Sequence, residues 1–178
     1  MNSSTIILVI ILIFSITFNL LSLNQKKTAI QIVNEMGLGY NLGGAFDCYD
    51  NLIEIKNPDE QITLCGNPIA NKELIGKIKK YGFKTILFPV IWINFIDENG
   101  NINSEWMKRV KELIDWIINN NMYCILNLYH DGDKGNWLSE GIKAKNKYIN
   151  FWSQIANEFK NYDNECLFFE SMNTPIYM

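Results

Sequence analysis

The sequence predicts an α/β fold in which parallel strands alternate with helices. Thr85–Val90 and Tyr123–Leu128 are apolar almost throughout instead of alternating with polar residues, which is typical of parallel strands buried on both faces. Between them lies an amphipathic segment whose apolar residues recur at helical spacing. These three segments form one strand-helix-strand unit, around which the rest of the chain is organised.

The helix of this unit has a start signal and a polar outer face. Asn103 or Ser104 can cap its first turn. Its buried side consists of apolar residues at helical spacing: Trp106, Val110, Leu113, Ile114 and Ile117. Opposite charges four residues apart predict three surface ion pairs: Glu105/Arg109, Lys108/Glu112 and Lys111/Asp115. The helix therefore covers one side of the sheet.

Upstream of this unit, the sequence predicts one strand and a long connection. Gln25–Val33 is a short helix or a frayed terminus, and Leu38–Leu42 is a short strand between glycines. Ala45–Asn67 has the composition of a loop, in which Asn57-Pro58-Asp59 is a turn signal. A connection of this length in a compact domain usually serves function.

Two more helices and one strand complete the prediction. Asn71 caps a helix that Gly82 ends, with Leu74, Ile75 and Ile78 on its buried side and Glu73/Lys77 as a surface pair. A second helix covers about Lys143–Phe159, and Leu167–Glu170 is the last strand.

The spacing of these elements predicts a particular architecture. Four strands alternate with three crossover helices, and the later strands start about 40 residues apart, as βα units do in a barrel. A (β/α)8 barrel of the TIM type typically takes about 250 residues. We therefore expect a TIM-barrel fold truncated to roughly its first four βα units.

The N-terminal residues predict a targeting segment. Residues 6–23 carry no charge and are interrupted by only a few polar side chains, and Lys26 and Lys27 follow. Such a run is the core of a signal peptide, a retained membrane anchor or a buried hydrophobic helix. We assign residues 1–24 to a signal peptide or anchor and residues 25–178 to the folded domain, and we expect a secreted or lumen-facing product.

The cysteines and the single histidine give weak signals. Cys124 and Cys166 fall in predicted strands and are interpreted as small buried hydrophobic residues. Cys48 and Cys65 both fall in the long loop and could form a disulfide in an oxidising compartment. The cysteines and His130 do not have the spacing of a metal site. We expect neither a metal nor a cofactor.

Charge excludes one class of function. The 178 residues carry a net charge of −3, and no cluster of lysines and arginines is interleaved with aromatic residues. Nucleic-acid binding depends on such a basic surface. We therefore expect no nucleic-acid partner.

Polar residues appear where the third predicted strand ends. Asn127, Tyr129, His130 and Asp131 follow or interrupt an otherwise apolar run. In parallel α/β folds, ligands bind at the carboxyl ends of the strands. The sequence thus places a candidate site at that end of the sheet.

Four separate motifs together cover about residues 35–175. They are Gly39-Tyr-Asn-Leu-Gly-Gly-Ala-Phe-Asp47, Gly82-Phe-Lys-Thr-Ile-Leu-Phe-Pro-Val-Ile-Trp92, Asn127-Leu-Tyr-His-Asp-Gly132 with Asn136-Trp137-Leu138, and Phe169-Glu-Ser-Met-Asn-Thr-Pro175. These motifs resemble successive blocks of glycoside hydrolase family 5 cellulases. The resemblance implies a TIM barrel that hydrolyses β-1,4-glucans with retention. It implies a glutamate acid/base after the fourth strand and a glutamate nucleophile after the seventh.

The resemblance also implies a set of sugar-facing residues. The positions that match family motifs are Asn41, His130, Asp131, Trp137 and Asn173, and Trp92 flanks the end of the second strand. Aromatic rings stack on the apolar face of glucose, while amides and carboxylates bind its hydroxyls. The alternatives are that Trp92 and Trp137 are packed loop anchors and that His130 is structural.

Several positions depart from the family pattern. Thr174 stands where the resemblance implies the acid/base glutamate, Leu87 where it implies an arginine, and Tyr129 where it implies a histidine. The nucleophile strand would follow Met178. A threonine hydroxyl does not titrate in the working range, and Glu170 lies too early in the strand to replace the missing acid. We therefore expect no catalytic residue in place and no hydrolysis by the family mechanism.

Three functions follow from this reading. The chain is an inactive glucanase homologue, a carbohydrate-binding pseudoenzyme that retains part of the glucan groove, or a half-barrel that pairs with a partner chain. The third follows because the first and last strands of a half-barrel leave open edges and expose core side chains. Self-association through these edges, pairing with a partner half, or poor solubility is therefore expected.

Overall fold

The structure is a computed structural model that describes residues 5, 26–50, 52–129, 141–163 and 165–173. The chain divides into two compact units, Met1–Val33 and Asn34–Met178. The predicted hydrophobic segment 6–23 lies outside the described residues. None of the helices in the described ranges is long and apolar enough to span a membrane.

Helices and strands alternate along the described chain. Helix α1 is Ala29–Met36, β1 is Gly39–Asn41, α2 is Pro58–Thr63, α3 is Lys72–Lys80 and β2 is Thr85–Val90. A 3-10 turn covers Ile93–Phe95, followed by α4 at Ser104–Asn119, β3 at Tyr123–Leu128, α5 at Gly141–Phe159 and β4 at Leu167–Glu170.

The four strands form one parallel sheet in the order β1-β2-β3-β4. The predicted bounds of β2, β3 and β4 are confirmed, whereas β1 is shorter than the predicted Leu38–Leu42. Leu87 lies in register with Asn41 of β1 and Ile125 of β3, and Ile125 lies in register with Phe168 of β4. The described chain is thus a partial barrel of four strands.

The predicted helix caps are present. The Asn103 side chain accepts hydrogen bonds from the backbone N–H groups of Glu105 and Trp106 at 2.9 and 3.1 Å, so α4 begins at Ser104. Asn71 accepts from the Leu74 N–H at 2.9 Å at the start of α3. These side chains satisfy N–H groups that the first turn of a helix leaves without partners.

The surface pairs of α4 differ in part from the prediction. Lys111 pairs with Asp115 at 2.8 Å, as expected. Arg109 instead reaches Asp59 of α2 at 2.8 Å and Glu112 at 3.3 Å. An arginine on a helix facing another element finds partners there that its own helix does not reveal.

Helix α2 is a correction to the predicted loop. Asn57 accepts a hydrogen bond from the Glu60 N–H at 3.0 Å, and Pro58 occupies the first helical position. The fixed backbone angle of proline suits that position, where its missing N–H costs nothing. The same residues that signal a turn therefore start a short helix.

The two faces of the sheet differ in burial. Phe88 and Leu126 face the helices and are 0% and 1% exposed. Side chains on the opposite side, here called the inner face, include Leu87, Ile125 and Phe168, which are only half-buried. The expectation that β2 and β3 are buried on both faces therefore holds on the helix side. It holds only in part on the inner face, where Pro89 and Asn127 are buried but Leu87 and Ile125 are not.

Candidate functional site

The carboxyl ends of the strands are joined beyond the strands themselves. Backbone hydrogen bonds of 2.9–3.0 Å run from Leu42 N to Leu87 O, Ile91 N to Phe46 O, Tyr129 N to Val90 O, and Asn173 N to Leu128 O. Each bond continues the sheet register past the last strand residue. The residues that follow β1, β2, β3 and β4 are thereby placed along a single edge, which we call the strand-end edge.

Asn41 is the last residue of β1 and lies at this edge with its side chain exposed. Its register partner on β2 is Leu87, so both side chains belong to the inner face. The Leu87 side chain cannot donate or accept a hydrogen bond at the position where the resemblance implies an arginine. The Asn41 amide is therefore the polar group that this register pair offers to a ligand.

Trp92 follows β2 and is 1% exposed. Its ring packs edge-on against Phe151 of α5, with the ring centres 5.3 Å apart. A sugar platform has to present a ring face to solvent, and a buried ring does not. The position of Trp92 therefore favours the alternative reading, a packed loop anchor.

Asn173 lies half-buried three residues beyond β4. Its backbone N–H donates to Leu128 O, which places it next to the end of β3. The other predicted contacts, His130, Asp131 and Trp137, and the acid/base position Thr174 all lie outside the described residues. Of the six predicted sugar contacts, the structure thus brings Asn41 and Asn173 to the strand-end edge.

Glu170 and Asn127 are register partners on β4 and β3, so their side chains share the inner face. Asn127 is 1% exposed, and its Oδ1 has no hydrogen-bond partner in the described part of the chain. A buried carbonyl oxygen without a donor carries an energetic cost. This position is an unused acceptor one layer below the strand-end edge.

The connection after β1, here called the β1 loop (residues 42–50 and 52–71), is cross-linked by a disulfide and by a buried side-chain hydrogen bond. Cys48 and Cys65 form a disulfide, as considered from the sequence, with their Cα atoms 5.8 Å apart. Gln61 of α2 is 0% exposed and donates from Nε2 to Cys48 O at 2.6 Å. Its Oε1 accepts from Asn94 Nδ2 at 3.0 Å, which ties the β1 loop to the segment after β2.

Sequence reasoning missed the roles of Gln61 and Asn94. Both are polar residues in segments interpreted as irregular, and neither belongs to a charged or metal-binding pattern. The only available signal was the helix start at Asn57-Pro58, which places Gln61 on the same side of a helix as Pro58. The burial of a glutamine cannot be inferred from the residue alone.

The groups with displaced pKa values lie away from the strand-end edge. Burial raises the pKa of the Cys124 thiol in β3, and the Asn101 side-chain amide lowers the pKa of Asp97 in the loop after the 3-10 turn. Hydrogen bonds from Lys111 to Asp115 and Tyr162 raise the pKa of Lys111 on α4. None of these groups is placed to exchange a proton with a ligand at the edge.

A family model and several known proteins match the sequence of this chain. A family model described as cellulase (glycosyl hydrolase family 5) matches residues 47–178. Endoglucanase A of Clostridium longisporum is 40% identical over 156 residues, which are 85% of this chain and 29% of that protein. Endoglucanase A of Paenibacillus barcinonensis is 39% identical over 158 residues, or 84% of this chain and 38% of that protein. The chain therefore spans well under half the length of these relatives.

Solved structures give the same result. A GH5-4 broad specificity endoglucanase from an uncultured bovine rumen ciliate is 57% identical, with a TM-score of 0.79 over 86% of this chain and 43% of that chain. The corresponding enzyme of Ruminococcus champanellensis, solved with bound cellotriose, is 34% identical with a TM-score of 0.76, over 85% of this chain and 44% of that chain. The partial barrel, its strand-end motifs and the family match together show that this chain belongs to glycosyl hydrolase family 5, the cellulase family.

Proposed function

We propose that this chain binds β-1,4-glucan along its strand-end edge and does not hydrolyse it by the family's two-carboxylate mechanism. Binding is supported by the exposed Asn41 amide and by Asn173 beside the end of β3. It is also supported by the relative from Ruminococcus champanellensis, which was solved with bound cellotriose.

The proposed lack of hydrolysis rests on one observation. The segment after β4 reads Asn173-Thr174-Pro175, and the bond from Asn173 N to Leu128 O fixes the register of its first residue against β3. Glycoside hydrolysis with retention requires one carboxyl to protonate the leaving oxygen and a second to attack the anomeric carbon. Thr174 offers a hydroxyl that stays protonated throughout the working pH range, so it cannot act as that acid.

Glu170 is the alternative candidate for the acid that protonates the leaving oxygen. It faces the inner side of the sheet in register with Asn127, and it is half-buried rather than enclosed. A carboxyl at that position would have to reach a glycosidic oxygen from within the strand, below the edge where the other sugar contacts lie. Because its carboxyl is not enclosed, Glu170 as the acid is nevertheless the second candidate, and the Glu170→Gln variant tests it directly.

The experiment combines two measurements on the purified chain. Affinity electrophoresis in a soluble β-1,4-glucan is expected to retard the protein, and release of reducing ends from the same glucan is expected to stay at background. Asn41→Ala should reduce the retardation, whereas Thr63→Ala, a substitution on the exposed face of α2, should not. Unchanged mobility of the wild-type chain contradicts binding, and reducing ends that disappear with Glu170→Gln would assign catalysis to Glu170.

We also propose that the chain self-associates. β1 and β4 are the edge strands of the described sheet, and the inner face leaves Leu87, Ile125 and Phe168 half-exposed. Open edges and apolar faces of this kind favour pairing with another chain. Light scattering is expected to give a dimer or larger species, and a monomer at every concentration contradicts this proposal.

A final proposal concerns location. The uncharged run at residues 6–23 supports export of the folded part, or its attachment to a membrane with the folded part on the outer or lumenal side. Fusion of residues 1–30 to a reporter enzyme that is active only outside the cytoplasm tests this. An inactive, cytoplasmic fusion contradicts it.

A further inference from the structure

The turn that follows β1 is held from two sides. Gly44 N donates to Asp47 Oδ1 at 2.7 Å, and Asn67 Nδ2 donates to Gly44 O at 3.1 Å. Gly44 has a positive φ of 76°, and a side chain there would overlap the Asn67 amide nitrogen. Both polar groups of the Gly44 backbone are therefore used to fix a conformation that favours glycine.

The two residues that hold this turn flank a covalent link. Asp47 immediately precedes Cys48, and Asn67 lies two residues after Cys65. The disulfide joins the chain at these two points across a separation of 17 residues. Cys48 is 4% exposed, and its carbonyl accepts from the buried Gln61, so its half of the link is anchored in the core. Cys65 lies on the exposed side.

The Gly43–Gly44 turn also lies beside Asn41, the candidate sugar-binding residue. The position that a Gly43 Cβ would occupy lies 3.6 Å from Asn41 Nδ2 and 3.7 Å from Asn41 Oδ1. The Gly43 backbone therefore lies beside the Asn41 amide, with room for little more than its hydrogen atoms between them. A shift of that backbone changes the space in which the amide can orient.

We propose that the Cys48–Cys65 disulfide acts with Asp47 and Asn67 as a clamp on the Gly43–Gly44 turn and thereby positions Asn41 for glucan binding. The clamp residues are positioning residues, because they act through the turn and not by contact with the sugar. This inference rests on the proposed glucan binding. It implies that the affinity for glucan depends on whether the disulfide is intact or reduced. When a dithiol such as dithiothreitol reduces the disulfide, the S–S bond breaks and the reductant supplies two electrons and two protons, which leaves two thiols.

The first test measures glucan affinity in a double-mutant cycle. The four proteins are wild type, Cys48→Ala/Cys65→Ser, Asn41→Ala and the triple variant. Loss of the disulfide should weaken binding by a factor of about five, the value of roughly one neutral hydrogen bond. In the Asn41→Ala background the same loss should have no further effect, because the clamp acts through Asn41. Cys166→Ser, which removes a thiol outside any disulfide, should bind as wild type does.

A merely structural disulfide would lower affinity by the same factor with and without Asn41, and that additive result overturns the inference. Equal binding by oxidised and disulfide-free protein overturns it as well. If the wild-type chain fails to bind glucan, the proposed function fails, and the clamp is judged by the second test alone.

The second test needs no ligand. Hydrogen exchange of the full chain is followed by mass spectrometry before and after treatment with dithiothreitol, which also avoids any variant that fails to fold. Exchange in the peptide covering residues 42–47 should become several-fold faster on reduction, while the β3 peptide covering residues 123–128 should not change. An unchanged rate at residues 42–47 shows that the disulfide does not hold the turn, and this contradicts the inference.

Discussion

Gln61 links the β1 loop to the segment after β2, and its removal is the most informative single change for the fold of the site. The side chain is 0% exposed, donates to Cys48 O at 2.6 Å and accepts from Asn94 Nδ2 at 3.0 Å. Gln61→Met keeps nearly the same length and volume but cannot make either bond. The substitution therefore tests the hydrogen bonds with little change in packing.

The magnitude follows from what the substitution leaves behind. Cys48 O becomes a buried acceptor without a donor, which costs about 1–3 kcal/mol. Asn94 is half-buried and can regain water in part, so its lost bond costs about 1 kcal/mol. The expected total of about 2–4 kcal/mol is a large share of the ~5–15 kcal/mol that stabilises a typical domain.

Urea unfolding followed by tryptophan fluorescence measures this loss directly. With an m-value of about 2 kcal/mol/M, the midpoint should fall by roughly 1–2 M. The matched control is Thr63→Ala in the same helix, whose exposed hydroxyl donates to Asp59 O at 2.8 Å. It should change stability by no more than about 0.5 kcal/mol. A Gln61→Met midpoint equal to that of Thr63→Ala would show that the two Gln61 hydrogen bonds do not stabilise the fold.

Three further predictions concern single contacts. Asn103→Ala removes the cap of α4 and should cost about 1 kcal/mol in urea unfolding, and a loss below 0.3 kcal/mol would contradict the cap geometry. Gly44→Ala should destabilise the chain by more than about 1 kcal/mol because of its positive φ and the overlap with Asn67; equal stability of the two proteins would contradict that conformation. Lys111 and Tyr162 both have raised pKa values, Lys111 first through its bond to Asp115 and Tyr162 first through burial. Both groups therefore stabilise the folded chain fully below about pH 10, and this stabilisation is lost as the pH rises further. Tyr162→Phe should flatten the alkaline fall in the free energy of unfolding, and an unchanged pH profile would contradict this.

The parts of the fold that the sequence predicted depend on local chemistry. The sequence predicts Asn71 as a cap, and Asn103 as one of two candidates with Ser104, because such side chains act on residues two or three positions ahead. The bounds of β2 and β3 followed from continuous apolar runs. In each case the deciding interaction is close in sequence, or depends on hydrophobicity alone.

The parts that were missed depend on partners distant in sequence. Arg109 was expected to pair with Glu105, but the fold brings Asp59 within 2.8 Å from 50 residues away. The sequence leaves Trp92 as either a sugar platform or a packed loop anchor, and only the fold shows that its ring packs against Phe151 in the core. The sequence predicts a loop in place of α2 because an Asn-Pro pair also signals a turn. The burial of Pro58, Gln61 and Ile62 that favours a helix arises only in the folded chain.

The residues of the proposed site also divide into those that the sequence locates and those that only the fold brings together. The motif resemblance located Asn41 and Asn173, and the backbone bonds between strand ends show that they share one edge. The clamp on Gly44 could not be predicted, because Asp47 and Asn67 are 20 residues apart and meet only through the fold.

We propose above all that this chain holds β-1,4-glucan without cutting it. Native mass spectrometry of the purified chain mixed with cellohexaose tests both halves of that claim at once, since the mass of the bound sugar is read directly. We expect a complex that carries the intact oligosaccharide after prolonged incubation, with no shorter products in solution. Absence of any complex, or a steady accumulation of shorter oligosaccharides, would contradict it.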